Sequence, residues 1–160
     1  MKKIFTLALV AMVALSASAA KKKAASKDAN KPVFTVIKEN PITSIKNQSR
    51  SGTCWNFSTL SFFEAEVLKA TGKTYDFDEA FVENKTYMER AIQVVRYHGD
   101  CQFAQGGSAE DVLATMKTYG IIPEGIMPFA GSLYGDSLNN FNEFFSILEP
   151  YVAAVAKSNL

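Results

Sequence analysis

The sequence predicts a helix-dominated fold with little strand. Apolar residues recur at helical spacing in four segments, glycines follow three of those segments, and only one short run is rich in β-branched residues. The length of 160 residues and a hydrophobic content of 48% fit one domain of ordinary globular composition. Twelve Phe, six Tyr and one Trp supply enough bulk for a core, so disorder is expected only in the N-terminal tail.

The N-terminus has the pattern of an export signal. Two lysines lie in the first three residues, residues 4–15 are apolar except for Thr6, and the small-residue stretch that follows contains the pair Ala17 and Ala19. The apolar run is shorter than the roughly 20 residues of a membrane-spanning helix, so we expect no stable membrane insertion. Residues 1–20 are therefore predicted to be a cleaved signal peptide of bacterial type, with an uncleaved anchor as the alternative. This predicts export to the periplasm or the exterior.

A lysine-rich linker and the first structural elements follow. Residues 21–32 contain five lysines and no apolar side chain larger than Ala, which favours a solvated linker. Residues 33–37 (VFTVI) are predicted to form a short strand. A long helix is predicted to start at an N-cap, Thr53, and to end at Gly72, and a second helix is predicted over residues 78–97.

The remaining chain predicts two more helices and one extended segment. Ser108 is the expected N-cap of a third helix that reaches residue 119. Proline and glycine punctuate residues 121–135, which predicts extended structure. Residues 139–156 have an amphipathic pattern typical of a final helix, interrupted or restarted at Pro150. Residues 33–160 are thus expected to form one mainly helical domain.

Charge and cysteine content exclude several function classes. The whole chain carries a net charge of +1, but residues 33–160 hold 10 basic and 15 acidic residues, because seven of the 17 basic residues and one of the 16 acidic residues precede them. An acidic folded part disfavours nucleic-acid binding. One histidine and two cysteines at unrelated spacings predict no metal site, and two cysteines cannot build a disulfide scaffold. No cofactor-binding motif is present, so no cofactor is expected.

The candidate catalytic residues lie in the segment at residues 48–58 (QSRSGTCWNFS). Cys54 is expected in the first turn of a helix, where unpaired N–H groups and the helix dipole favour a thiolate. Gly52 permits another molecule to approach the backbone closely. Gln48 can fold back and place an amide N–H beside the thiol, as acyl transfer requires. From composition alone, a buried and inert cysteine is the competing interpretation.

The same segment resembles the nucleophile region of the papain family of cysteine peptidases. The matching positions share the family spacing and are Gln48, Gly52, Cys54, Trp55, Phe57 and Ser58. The resemblance implies that Cys54 is the nucleophile, with Gln48 and the Cys54 backbone N–H as donors of the oxyanion hole. It also implies that Gly52 and Trp55 belong to the substrate-binding surface.

A second block supports the resemblance. Gly106 and Gly107, followed by a helix and then Tyr-Gly-Ile at residues 119–121, are similar to the family's glycine loop, which holds the substrate backbone in the cleft. By resemblance, Gly106 and Gly107 are therefore substrate-binding candidates. A helix-entry turn explains the two glycines almost as well when they are considered alone.

Departures from the family pattern point to one branch of it. Secreted papain-like endopeptidases have paired cysteines at the positions of Ser51 and Ala104, and neither is present here. This absence, with residues 81–92 and 121–124, resembles the bleomycin hydrolase/aminopeptidase C branch. The resemblance implies an α+β papain-like fold, of which this chain holds mainly the helical N-terminal lobe. It further implies a peptide substrate and leaves homo-oligomerisation of the parent protein open.

The sequence contains no residue that we expect to act as the catalytic base. A thiolate peptidase needs an imidazole and an Asn or Asp that orients it, and in the family these lie at least about 130 residues beyond the nucleophile. His98 is the single histidine and is expected at a helix end. We therefore expect a truncated, inactive part of an exported cysteine aminopeptidase. A non-catalytic peptide-binding module is the first alternative, and a thiol redox protein using Cys54 is the second, although a Cys54–Cys101 disulfide is disfavoured.

Overall fold

A computed structural model describes residues 32, 34–129 and 139–158. The predicted signal peptide and all of the linker but residue 32 lie outside the described residues. Four helices are present in the described part of the chain, and the intervals between them are turns and irregular segments. They are α1 (Cys54–Thr71), α2 (Glu79–Arg96), α3 (Ala109–Tyr119) and α4 (Phe141–Lys157). They belong to one compact unit, which begins at residue 40.

The strand predicted over residues 33–37 is wrong where the structure describes it. Residues 34–37 form neither strand nor helix, and Phe34 and Ile37 are 85% and 96% exposed. β-Branched residues favour a strand only where a partner strand and a packed face are available. Between them, residues 34–129 and 139–158 contain two isolated bridges, Arg50 with Asn140 and Phe77 with Pro123, and no longer ladder.

The ends of α1 follow local rules with one exception. Gly72 adopts a left-handed conformation (φ 70°) and donates its N–H to the Leu68 carbonyl at 2.8 Å, as expected for a C-terminal glycine. Thr53 is the N-cap residue by position, but its side chain does not cap the helix. Its hydroxyl instead lies 2.6 Å from the Ser51 hydroxyl. The first turn of α1 is therefore free of side-chain capping.

Helix α3 begins at the Ser108 cap as predicted, whereas Asp78, expected in the first turn of α2, is the N-cap of that helix. Asp78 accepts the Phe81 N–H at 2.8 Å through Oδ1, and its Oδ2 accepts the N–H groups of Ile126 and Met127. One carboxylate thus starts α2 and also fixes the segment after α3. Ser108 and Asp111 form a capping box at the start of α3.

Helix α4 is continuous through Pro150, so the predicted interruption there is wrong. Proline removes one main-chain hydrogen bond, but Pro150 lies on an exposed position of α4. Phe145 and Val152, which lie on either side of it, are buried and pack against the core. This packing holds the helix together across the proline.

The core lies around α2, which contacts the other three helices. Aromatic rings fill its centre: Tyr87 of α2 meets Phe103, Phe141 and Phe145 edge-on with ring centroids 5.0–6.3 Å apart. The described residues include no helix that is long and apolar enough to cross a membrane. Because α2 is central, its side chains can reach both the loop before α1 and the loop over residues 104–107.

Candidate active site

The loop before α1 is closed by hydrogen bonds of its own. The Gln48 carboxamide donates from Nε2 to the Ser51 carbonyl at 2.7 Å, and the Ser51 hydroxyl lies 2.9 Å from the Gln48 carbonyl. Arg50 donates its N–H to the Asn139 carbonyl and accepts the Phe141 N–H, which ties the loop to the start of α4. A carboxamide nitrogen carries two hydrogens, so Gln48 has a second N–H to offer.

Cys54 is the first residue of α1 and is exposed. The first main-chain bonds of the helix run from the N–H groups of Asn56 and Phe57 to the Thr53 carbonyl. The Cys54 N–H makes no hydrogen bond to any residue that the structure describes. Cys54 therefore offers a free thiol and a free amide donor at one helix terminus, as an acyl-transfer nucleophile requires. Cys101 is also a free thiol.

A second loop, residues 104–107, lies against the first. Gln105 joins the two loops, because its Oε1 accepts the Gly52 N–H at 2.7 Å. The Gln105 carbonyl accepts the Trp55 indole N–H at 3.0 Å and the Tyr87 hydroxyl at 2.8 Å. Ser51 and Ala104, the two positions at which the resemblance implied paired cysteines in secreted endopeptidases, lie on these two loops. Here polar contacts connect the loops instead of a disulfide.

The Arg90 side chain of α2 holds the second loop, residues 104–107, in place. Its guanidinium donates to the carbonyls of Ala104 and Gly106 and pairs with Asp111 at 2.9 Å. The same group lies 5.5 Å from the Trp55 ring centre and 5.7 Å from the Tyr87 ring centre. Sequence reasoning missed the roles of Gln105, Arg90 and Tyr87. The i, i+3 spacing of Tyr87 and Arg90 on one helix was the available signal.

The predicted substrate-binding residues occupy different environments. Trp55 is 6% exposed, so its contacts fix the loop, and direct contact with substrate stays a prediction. A Cβ at Gly107 would lie 2.7 Å from the Trp55 ring and from the Arg90 guanidinium, whereas a Cβ at Gly106 would meet nothing within 4 Å. A Cβ at Gly52 would lie 3.0 Å from Gln105 Cβ. Gly107 and Gly52 thus permit close packing, and Gly106 is exposed and open.

A partly buried ion cluster anchors the chain just before Gln48. Lys46 Nζ lies 2.8 Å from Glu64, 2.5 Å from Asp76 and 2.8 Å from Glu79. Burial disfavours the charge on Lys46, but these carboxylates outweigh burial and raise the pKa of Lys46. Burial raises the pKa of Glu79, and the Lys46 ammonium opposes this effect. The cluster fixes the entry of the chain into the Gln48 loop.

A second buried carboxyl, Glu83 of α2, lies beneath the start of α1. Asn139 donates to Glu83 Oε2 at 2.8 Å and Asn56 approaches Oε1 at 3.4 Å. Burial raises the pKa of Glu83 to about 7, while hydrogen bonds from Asn139 and Asn56 oppose the rise. Sequence reasoning missed this residue.

His98 lies where the sequence predicted, after the C-terminal end of α2. It is exposed, has a left-handed backbone (φ 53°), and its imidazole makes no hydrogen bond within the described part of the chain. Thus no imidazole contacts Cys54 among the residues that the structure describes. No group of His, Cys, Asp or Glu in those residues is suited to hold a metal ion.

Comparison with known proteins finds a matching family and similar cysteine peptidases. A sequence model of the Peptidase C1-like family matches residues 2–146. The chain is 26% identical over 117 residues to an aminopeptidase C of Lactococcus lactis subsp. lactis (strain IL1403), covering 62% of this chain and 26% of that protein. It is 25% identical over 92 residues to a cysteine proteinase of Theileria parva, covering 58% of this chain and 18% of that protein. The chain therefore spans about a quarter of the first relative's length and less of the second's.

The two loop glycines offer a matched test of the packing. Gly107→Ala should destabilise the chain by about 1–3 kcal/mol, because the new methyl group overlaps the Trp55 ring and the Arg90 guanidinium. Gly106→Ala is the control and should change stability by less than about 0.5 kcal/mol, because its Cβ meets open space. Urea denaturation followed by tryptophan fluorescence measures both variants. Equal stability of the two variants would contradict the packing described.

Proposed function

Because the chain belongs to the Peptidase C1-like family, we propose that it supplies the nucleophile and oxyanion hole of an exported cysteine aminopeptidase. The observation that carries the proposal is the start of α1. There an exposed Cys54 thiol and a Cys54 N–H without a partner in the described residues begin the helix, and the Gln48 carboxamide lies in the hydrogen-bonded turn that precedes it. This is the donor and nucleophile set that acyl transfer needs.

The proposed reaction has two stages. The Cys54 thiolate attacks the carbonyl carbon of a peptide bond, and the Cys54 and Gln48 N–H groups stabilise the negative oxygen that forms. The C–N bond then breaks, and the leaving amine takes a proton to give a thioester on Cys54. Water hydrolyses the thioester and restores the thiol. The proton carrier is an imidazole, which we propose comes from a part of the protein beyond this chain, since the exposed His98 makes no contact with Cys54.

The substrate surface of the proposed enzyme is the loop over residues 104–107. Gly106 is exposed and carries no side chain, so an extended peptide can approach its backbone. The carbonyls of Ala104, Gln105 and Gly106 already accept hydrogen bonds from the protein, and these bonds hold the loop in one conformation. A rigid, side-chain-free loop beside a nucleophile suits recognition of a substrate main chain.

We further propose that the enzyme is an aminopeptidase rather than an endopeptidase. The support for this is the similarity to a protein named aminopeptidase C and the absence of cysteines at residues 51 and 104. A non-catalytic peptide-binding module is the alternative, favoured by the lack of any imidazole in contact with Cys54. The two differ in chemistry at Cys54, because only the enzyme needs a reactive thiol.

Acylation of the purified 160-residue chain distinguishes the proposed enzyme from the non-catalytic binding module. We expect activated esters of amino acids to form an adduct on Cys54, detected by mass spectrometry, without hydrolysis of the corresponding amides. An activated ester has a good leaving group, whereas an amide nitrogen needs a proton from a general acid. Gln48→Ala should slow adduct formation by about 10²–10³-fold through loss of an oxyanion donor.

Two cysteine variants serve as controls for the acylation. Cys54→Ala should form no adduct, and Cys101→Ser should behave as the unchanged chain. Adduct formation at equal rates on both thiols, or no effect of Gln48→Ala, would contradict a preformed oxyanion hole. Amide hydrolysis that disappears in Cys54→Ala would show that the chain already holds a base.

Export is tested independently by the mature N-terminus. We expect the protein secreted by its native host to begin after Ala19 or Ala20, because a signal peptidase cleaves behind a small-x-small pattern. N-terminal peptide mapping measures this directly. A cell-retained protein that still begins with Met1 would contradict export.

A further inference from the structure

We infer that Arg90 is a positioning residue for the substrate, and that it acts by fixing the peptide unit between Gly106 and Gly107. The inference rests on the proposed function, in which the loop over residues 104–107 binds the substrate main chain. Arg90 lies on α2 and its side chain is only 16% exposed, so it acts on the loop from the core side.

The two glycines that leave the loop open to a substrate also leave its main chain free to rotate. Turning the peptide unit between Gly106 and Gly107 by half a turn exchanges the places of the Gly106 carbonyl and the Gly107 N–H. This rotation changes only ψ of Gly106 and φ of Gly107, and glycine adopts positive and negative φ about equally well. A peptide unit between two glycines therefore keeps one orientation only where other groups hold it.

Arg90 is the group that holds this peptide unit. Its Nη1 donates to the carbonyls of Ala104 and Gly106, while its Nη2 pairs with Asp111 at 2.9 Å. The guanidinium also lies 5.5 Å from the centre of the Trp55 ring. Because the guanidinium is a rigid plane, its contacts with Asp111 and Trp55 fix the place of Nη1. No other group in the described residues donates to the Gly106 carbonyl.

The direction of the Gly107 N–H follows from that of the Gly106 carbonyl. The described residues contain no cis peptide bond, and the carbonyl and N–H of a trans peptide unit point in opposite directions. With the Gly106 carbonyl turned toward Arg90, the Gly107 N–H points away from it. This N–H makes no hydrogen bond to any residue that the structure describes, and Gly107 is exposed. The Gly107 N–H is thus available to a carbonyl oxygen of the substrate main chain.

Loss of the guanidinium should reverse the peptide unit. Without Arg90, the Gly106 carbonyl has no donor on the protein side and gains hydrogen bonds by turning outward into water. The two glycines permit this rotation, which carries the Gly107 N–H inward. A carbonyl oxygen of the loop would then face a carbonyl oxygen of the substrate, and neither can donate a hydrogen bond. Substrate binding therefore weakens although the loop keeps its sequence.

Peptide binding by an unreactive form of the chain tests the inference without turnover. The isotope-labelled Cys54→Ala chain is titrated with trialanine amide and followed by NMR. We expect the Gly107 amide proton to move downfield as the peptide binds. Arg90→Met in the same background should abolish this movement and weaken binding by about five- to tenfold, the equivalent of one hydrogen bond. Arg96→Met, the same change at an exposed position of α2, is the control and should leave binding unchanged.

Chemical rescue separates positioning from a general loss of structure. Arg90→Ala in the Cys54→Ala background should bind the peptide weakly, and ethylguanidinium, kept below denaturing concentration, should restore binding and the downfield movement at Gly107. Ethylammonium at the same concentration should restore neither, because one nitrogen cannot reach both the loop carbonyls and Asp111. Should Arg90→Met unfold, Arg90→Gln replaces it, since its shorter side chain stays polar but ends before the Gly106 carbonyl.

Three results would overturn the inference. They are a Gly107 amide that does not respond to the peptide, equal peptide binding with and without the Arg90 change, and equal rescue by the two cations. Failure of acylation at Cys54 would overturn the proposed function alone, because the binding measurements use a chain without the nucleophile.

Discussion

The packing of residues 104–107 on the Trp55 indole is the constraint on which the site depends. Trp55 directly follows Cys54, so the hydrogen bond from its indole to the Gln105 carbonyl fixes the first turn of α1. Arg90 stacks on the same indole and donates to the loop carbonyls. The start of α1 and the loop over residues 104–107 are therefore joined by one contact, and a side chain at Gly107 would overlap Trp55 and Arg90.

Polar contacts join the two loops of the candidate site. Gly52 connects to the second loop through Gln105, and the Ser51 and Thr53 hydroxyls contact each other within the first loop. The two loops are thus held together by hydrogen bonds, with no cysteine at residue 51 or 104 to link them covalently.

The sequence predicted those features that local rules control. Gly72 and the Ser108 cap set helix ends through contacts within a few residues, and the motif around Cys54 has fixed spacing. The strand at residues 33–37 failed, where described, because a strand needs a partner that propensity does not reveal. Arg90 and Glu83 were missed for a similar reason: their roles arise from contacts with residues distant in sequence. A single charged residue in a helical pattern does not reveal which distant residues it will contact.

Selective labelling of Cys54 by a peptide-like reagent tests most directly whether the two loops form a substrate cleft. The measurement compares rate constants for a peptidyl electrophile and for a small non-peptidyl one with the same reactive group, at both thiols. We predict that Cys54 prefers the peptidyl reagent by at least about tenfold, equivalent to about 1.4 kcal/mol of binding, and that Cys101 shows no preference. Equal preference at the two cysteines would contradict a cleft built around Cys54.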